Sequence, residues 1–264
     1  MKVPFYQVDA FSDSVFAGNP AAVCLLDEWP GTEVLQQVAE ENNLSETAFV
    51  MPAKRGKWAI RWFTPKVEVD LCGHATLAAA HVLFQERGLK GEELIFTSRS
   101  GDLPVSCLED GGFGMDLPAA TTTQATVSPL LLEGLGGYPS EVRTGSDCLC
   151  VFDYEEIVRE LQPDHRLLSR LPFRGIIVTA LSSNGREDFV SRFFAPAVGI
   201  DEDPVTGSAH CILAPYWARR LGKQRLRASQ VSERGGRLVC EVRGDRVFIE
   251  GKAVTYLTGE AEVV

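Results

Sequence analysis

The stretch Arg61-Trp-Phe-Thr-Pro-Lys-Val-Glu-Val-Asp-Leu-Cys-Gly-His-Ala-Thr-Leu-Ala78 returns later in the chain, altered, as Arg192-Phe-Phe-Ala-Pro-Ala-Val-Gly-Ile-Asp-Glu-Asp-Pro-Val-Thr-Gly-Ser-Ala209. At an ungapped offset of 131 residues six pairs are identical: Arg61/Arg192, Phe63/Phe194, Pro65/Pro196, Val67/Val198, Asp70/Asp201 and Ala78/Ala209. Trp62/Phe193 adds an aromatic match. The offset is close to half of the 264 residues, so a duplicated domain is the direct reading. Each copy ends in an apolar segment of helical character, Gly73 to Glu86 and Gly207 to Leu221. Both segments are apolar nearly all round at their starts, which predicts burial.

Working outward, each half is rich in strands. Val3 to Phe11 alternates, Phe16-Ala-Gly-Asn-Pro20 is a turn, and Ala21 to Leu26 is a second strand. Val34 to Glu41 predicts a short amphipathic helix that stops at Asn42-Asn43. Thr47 to Met51 and Trp58 to Phe63 are further strands. In the second half Asp164 to Leu171 predicts a helix, and Gly175 to Thr179, Phe189 to Phe194 and Arg246 to Glu250 predict strands. A strand layer wrapped around one central helix is the simplest way to bury each apolar helix. The polar bridge Thr121 to Thr126 follows the strand-like Gly114 to Pro118, so the halves divide as residues 1–117 and 118–264.

The length suits two domains of about 130 residues or one large α/β unit. With 26 basic and 36 acidic residues the net charge is −10, which argues against nucleic acid or an anionic membrane as partner. No apolar run approaches the roughly 20 residues of a membrane span. Met1 to Ala10 reads as a mature strand rather than a signal peptide. Seven cysteines, an odd number with no C-x-x-C, make a disulfide framework or a zinc site unexpected and point to a reducing cytoplasm. No nucleotide, flavin or metal motif is present.

Four places carry chemistry. Gly73-His-Ala-Thr76 opens the first helix, where free N–H groups and the positive dipole end suit a carboxylate. His74 there is expected to have a lowered pKa and to shuttle a proton near neutral pH; the plainer reading is a capping turn with a structural histidine. Asp203-Pro-Val-Thr-Gly-Ser-Ala209 opens the second helix. Thr206 or Ser208 is placed to cap it, and the Gly207 and Ser208 N–H groups point out of its start. Two such helix starts, related by duplication, are expected to meet at a cleft between the halves. Glu46 lies between a helix end and an apolar strand, where partial loss of water suits acid/base work, although most glutamates in turns are simply solvated. The position 131 residues further is Ile177, so a catalytic acid would be single. Cys72 directly precedes the first helix, where a thiolate is stabilised, yet its partner at the repeat offset is Asp203, so no two-thiol mechanism is available. Cys72 is otherwise a small buried residue. His210, one turn into the second helix, is a further candidate for lining the cleft.

Taken together, these segments resemble the phenazine-biosynthesis (PhzF-like) family. The resemblance runs nearly end to end, through Asp9-Ala-Phe11, Gly18-Asn-Pro20, Asn43-Leu-Ser-Glu-Thr47, Phe63-Thr-Pro65, Leu71-Cys-Gly-His-Ala-Thr76, Met115-Asp-Leu-Pro118 and Glu202 to Ala209. It implies an α+β, diaminopimelate-epimerase-like fold with two pseudo-symmetric halves. Each is a curled, mostly antiparallel sheet or barrel around a central helix, and the last strand is free to return to the first half. It also implies an enzyme without cofactor or metal, commonly a homodimer. In the phenazine enzyme a single glutamate moves a proton across a dihydro-hydroxyanthranilate, and that glutamate matches Glu46. The family's histidine matches His74, its aspartate and serine match Asp203 and Ser208, and the serine before the glutamate matches Ser45. The implied roles are proton transfer by Glu46, polar contacts and relay by His74 and Asp203, and carboxylate binding by Ser45 and the N–H groups of Gly73, Gly207 and Ser208. The sequence departs from the dedicated phenazine enzyme, which reads Ala-Gly-His-Pro-Thr where this chain reads Cys-Gly-His-Ala-Thr. The leading expectation is therefore a cofactor-independent isomerase acting on a small carboxylated substrate. The rivals are a racemase or epimerase using Cys72, and a binding module that kept the cleft without the activity.

Overall fold

The computed structural model describes residues 1–263. They form two compact units, Met1–Asp116 with the C-terminal residues from Glu250, and Leu117–Ile249. In the first half of the chain the elements are β1 (Lys2–Ala10), β2 (Asn19–Leu25), α1 (Thr32–Asn42), β3 (Glu46–Pro52), β4 (Trp58–Phe63), β5 (Glu68–Val69), α2 (Gly73–His81), β6 (Glu93–Ser98), β7 (Gly101–Cys107) and β8 (Phe113–Pro118). Then come β9 (Thr123–Gln124), α3 (Pro129–Leu135), β10 (Glu141–Thr144), β11 (Cys148–Val151), α4 (Glu155–Glu160), α5 (His165–Leu168), β12 (Ile176–Leu181), β13 (Phe189–Ala195), β14 (Ile200–Asp203) and α6 (Gly207–Leu221). The chain ends with β15 (Arg225–Gln230), β16 (Gly236–Arg243), β17 (Arg246–Gly251) and β18 (Ala253–Glu262). None of the described helices is long and apolar enough to cross a membrane.

The two units repeat one pattern of strand pairing. In the first, β1 and β2 are antiparallel, β2 and β3 parallel, β3 and β4 antiparallel, β4 and β6 parallel, and β6 and β7 antiparallel. In the second, β10 and β11 are antiparallel, β11 and β12 parallel, β12 and β13 antiparallel, β13 and β15 parallel, and β15 and β16 antiparallel. The short strands β5 and β14 each add antiparallel to the strand before them. β18 pairs antiparallel with β1 from Lys2↔Glu262 to Ala10↔Ala253, so the last strand belongs to the first sheet.

The core of the first unit follows from its apolar strands. β2 and β3 are buried at nearly every position because both faces are covered. On one side lies α2, whose residues from His74 to His81 are all buried against β1, β2 and β3. On the other, Leu35 and Ala39 of α1 pack with Phe49 and Phe63. After His81 the helix continues as a wider turn over Val82–Glu86. There the Arg87 N–H donates to the Val82 carbonyl, five residues back, at 2.9 Å.

In the second unit α6 packs on β15 and β16. Pro215 sits inside this helix and has no N–H for the Cys211 carbonyl. The Ala120 N–H donates to that carbonyl instead, at 2.9 Å. The expected helix over Asp164 to Leu171 is the single turn α5, with the Asp164 carboxylate accepting the Leu167 N–H at 3.0 Å.

The ladders refine the register of the repeat. Thr47 lies opposite Phe63 and Ile176 opposite Phe194, so the structural counterpart of Glu46 is Gly175, not Ile177. Cys72 and Thr206 are the residues that precede the two central helices. The counterpart of Cys72 is thus Thr206 rather than Asp203. The ungapped offset fails here because the connections differ in length between the two copies.

Candidate functional site

Glu46 is delivered by a helix stop and a strand start. Asn43 closes α1 in the left-handed conformation, φ 47°, with its N–H on the Ala39 carbonyl at 3.2 Å. Asparagine tolerates that conformation better than most residues. Asn42 Nδ2 then donates to Thr47 Oγ1 at 3.0 Å, which ties the end of the helix to the start of β3. Ser45 and Glu46 are half-buried between these anchors.

His74 enters from the first turn of α2. Its Nε2 lies 3.1 Å from Glu46 Oε2, and both side chains are largely enclosed. On the other side of the ring, Nδ1 lies 3.5 Å from Cys72 Sγ and 3.3 Å from Asn19 Nδ2. Burial opposes a charge on this imidazole, but the acidic groups of Cys72 and Glu46 outweigh it and hold its pKa well above the usual value. The lowered pKa expected from the helix dipole is therefore overturned: the dipole is weaker than a carboxylate at hydrogen-bond distance. The Cys72 expectation is reversed too. Burial, then the nearby Glu46 charge, push its thiol pKa up, and His74 only partly offsets them. Cys72 is thus a weaker acid than an ordinary thiol, and the acidic groups facing His74 are its sulfur and the Glu46 carboxylate.

The second group of predicted residues lies within the second unit. Asp203 ends β14, opposite Phe193. Its Oδ2 accepts the Thr206 hydroxyl at 2.5 Å. Gln230 fixes this turn: its Oε1 accepts the Thr206 N–H at 2.9 Å, and its Nε2 donates to the Asp203 carbonyl at 2.7 Å. Thr206 therefore does not cap α6 with its side chain as expected, because its hydroxyl is committed to Asp203. Neither does Cys72 cap α2. Both helix starts keep their first N–H groups clear of such caps, Gly73 in one and Gly207 and Ser208 in the other.

His210 does not behave as a lining residue. It is fully buried, with Nδ1 2.8 Å from the Thr206 carbonyl, and burial pushes its pKa down to about 4. It is a neutral core histidine beside Phe189.

Three residues were missed by the sequence reading. Asn19 is fully buried against His74; its place in the Gly18-Asn-Pro20 turn was the available signal. Arg174 precedes Gly175 and so stands where Ser45 stands in the first unit. Its Nε and Nη2 grip the two carboxylate oxygens of Asp147 at 2.9 and 2.6 Å, and Nη2 also reaches Ser208 Oγ at 3.2 Å. The Asp147 side chain is wholly enclosed. An Arg-Gly pair in a loop carries no sequence signal for such a clamp.

The phenazine biosynthesis-like protein family model, PhzC-PhzF, matches residues 8–259. A Pseudomonas aeruginosa protein described as an uncharacterized isomerase is 54% identical over 259 residues, covering 98% of each chain. The crystal structure of a PhzF family phenazine biosynthesis protein from Enterococcus faecalis superposes with a TM-score of 0.95 at 46% identity, covering 99% of this chain and 100% of that one. A hydroxyproline epimerase from Agrobacterium vitis, at 13% identity, shares the fold alone, with a TM-score of 0.63 over 98% of this chain and 92% of its own. The α+β architecture is thus of the diaminopimelate-epimerase-like type, and the chain belongs to the phenazine biosynthesis-like (PhzC-PhzF) family.

Proposed function

We propose that this protein is a cofactor-independent isomerase that moves a proton on a small carboxylated substrate, with Glu46 as the general acid/base. The observation that carries this reading is the pair formed by Glu46 and the buried His74, 3.1 Å apart. A carboxylate beside a buried imidazole can take a proton from an activated carbon and return it to another. One group then serves as base and acid in turn, which fits a single Glu46 with Gly175 in the matching place. The uncapped N–H of Gly73, the residue before His74, suits the substrate carboxylate. Gly207 and Ser208 offer a second set of donors of the same kind, with Asp203 for a polar substrate group. His74 holds the Glu46 carboxylate and relays its proton. The seven cysteines are free thiols, in keeping with a reducing compartment, and the family resemblance supports a homodimer. The isomerase names carried by the relatives support the reaction class.

The test begins with a thermal-shift screen of small carboxylates, cyclic dihydro-aromatic acids and amino acids among them, on wild type and Glu46→Gln. A ligand at 100 times its dissociation constant adds about 2.7 kcal/mol. A ligand that stabilises both proteins is then incubated in deuterium oxide. Carbon-bound deuterium should appear with wild type and fall by at least about a hundredfold with Glu46→Gln, the scale of one acid/base group. Exchange at the wild-type rate in the variant would refute the role of Glu46. Epimerisation through Cys72 is disfavoured by the burial that keeps it a thiol; exchange abolished by thiol alkylation would revive it. If no carboxylate stabilises either protein, the carboxylate reading loses ground to that of a binding module.

A further inference from the structure

Among the described residues, Arg174 alone hydrogen-bonds the wholly enclosed Asp147 carboxylate. An apolar pair of similar size in their place is often no less stable, because two charges must first be stripped of water. What the ion pair supplies instead is geometry. Held by one carboxylate at both Nε and Nη2, the guanidinium has its plane fixed. Its carbon lies over Phe193, 5.7 Å from the ring centre. Yet the Arg174 side chain is half exposed. Nη2 donates a second hydrogen bond to Ser208 Oγ at 3.2 Å. Nη1 donates none among the described residues, so its two N–H groups are spare. Arg192 is the contrast. Its Nε and Nη2 go to Glu202 and its Nη1 to the carbonyls of Val158, Arg159 and Leu161, which leaves that guanidinium fully used inside the unit. Ser208 is set up in the same way as Arg174. Its oxygen accepts from Nη2, so its own hydroxyl proton is left for an acceptor from outside.

We infer that Arg174 anchors a carboxylate of the substrate, one oxygen accepting from Nη1 and the other from the Ser208 hydroxyl, with Asp147 as the residue that aims the guanidinium. Every group presented there is a donor, so the site accepts an acid and refuses the corresponding amide. An amide has one acceptor oxygen and would turn its own NH2 toward donors. In a chain of net charge −10, a fixed local cation also offsets the general repulsion of an anion. The inference rests on the reading of Ser208 as a substrate contact in the function proposed above, but not on proton transfer by Glu46.

The experiment titrates the full, isotope-labelled chain with sodium formate, acetate and benzoate at constant ionic strength and follows proton–nitrogen spectra. With at least one of the three, the Ser208 amide and the Arg174 Nε–H should move along one saturable curve. Formamide, acetamide and benzamide should leave both in place. Arg174→Lys keeps the charge but loses the planar fork. It should weaken the bound carboxylate at least about tenfold, the scale of a lost hydrogen bond to a charged group. Ser208→Ala should weaken it as well. A melt of Arg174→Lys shows whether that variant is folded; if it is not, the wild-type Arg174 Nε–H curve and Ser208→Ala decide. No saturable shift with any of the three acids, amides bound as tightly as acids, or unchanged affinity in a folded Arg174→Lys overturns the anchor. Deuterium exchange is read separately. Carboxylate binding at Arg174 without exchange upholds the anchor and counts against the isomerase reading, whereas exchange with Ser208 and Arg174 unmoved does the reverse.

Discussion

A histidine in the first turn of a buried helix can end up charged or neutral, and its neighbours decide which. The acidic groups of Cys72 and Glu46 hold the His74 pKa well above its usual value, while burial pushes His210, whose Thr206 carbonyl contact only partly offsets it, down to about 4. The second case has a measurable consequence. An unfolded histidine titrates near 6.5, so between about pH 6.5 and 4 the unfolded chain binds a proton that folded His210 refuses. Stability is fully present above the unfolded pKa and is lost as pH falls toward 4, by up to about 3 kcal/mol from this residue. Denaturant melts at pH 7.5 and 4.5 should show that loss in wild type and a smaller one in His210→Gln. Equal pH dependence in the two proteins would remove His210 from the account. At this scale the sequence named Glu46, His74 and Cys72 but misjudged two of their charge states, because a pKa depends on groups brought close by folding.

Elements bring a different lesson, carried by β12 and the loop before it. Gly175 stands where Glu46 stands in the first unit, and a Cβ there would lie 2.1 Å from the Phe193 ring. Its glycine is required by close approach of the ring, and a carboxylate at this place is sterically excluded. Gly175→Ala should cost about 1–3 kcal/mol, the usual scale of overpacking. A melting temperature unchanged within a degree would show that Phe193 moves aside freely. The ring lies under the Arg174 guanidinium at 5.7 Å, so its displacement would also loosen the grip on Asp147. The strands themselves were legible: β3, β4, β12 and β13 all follow from apolar runs rich in branched and aromatic residues. Their register was not, since an ungapped comparison carries no information on loops that differ in length.

For the whole molecule, chain order and unit membership part company at the C-terminus. The second unit is continuous, Leu117–Ile249, with its own core around Leu135, Phe152, Val178 and Phe194. The first unit needs β18, which pairs along the whole of β1 and brings Val263 into the cluster with Val3 and Phe49. A fragment of residues 117–249 should therefore fold alone, with a dispersed amide spectrum and a cooperative melt. Residues 1–116 should not fold, because β1 keeps β2 but loses β18 on its other side and an apolar strand edge is bared. Adding back a peptide of residues 250–264 should restore a dispersed spectrum to that fragment; failure to do so would deny β18 this role.

By itself the sequence determined the duplication, the strand-rich halves with one buried helix each, and the family, because these reside in local periodicity and in ordered motifs such as Asn43 to Thr47 and Leu71 to Thr76. Only the tertiary structure decided that Asn19 and Cys72 flank His74 opposite Glu46, that Arg174 is clamped by Asp147 beside Ser208, and that Gly175 answers Glu46. Those are contacts between residues far apart in the chain, and distance through space enters a sequence only after the ladders have set which strand lies against which.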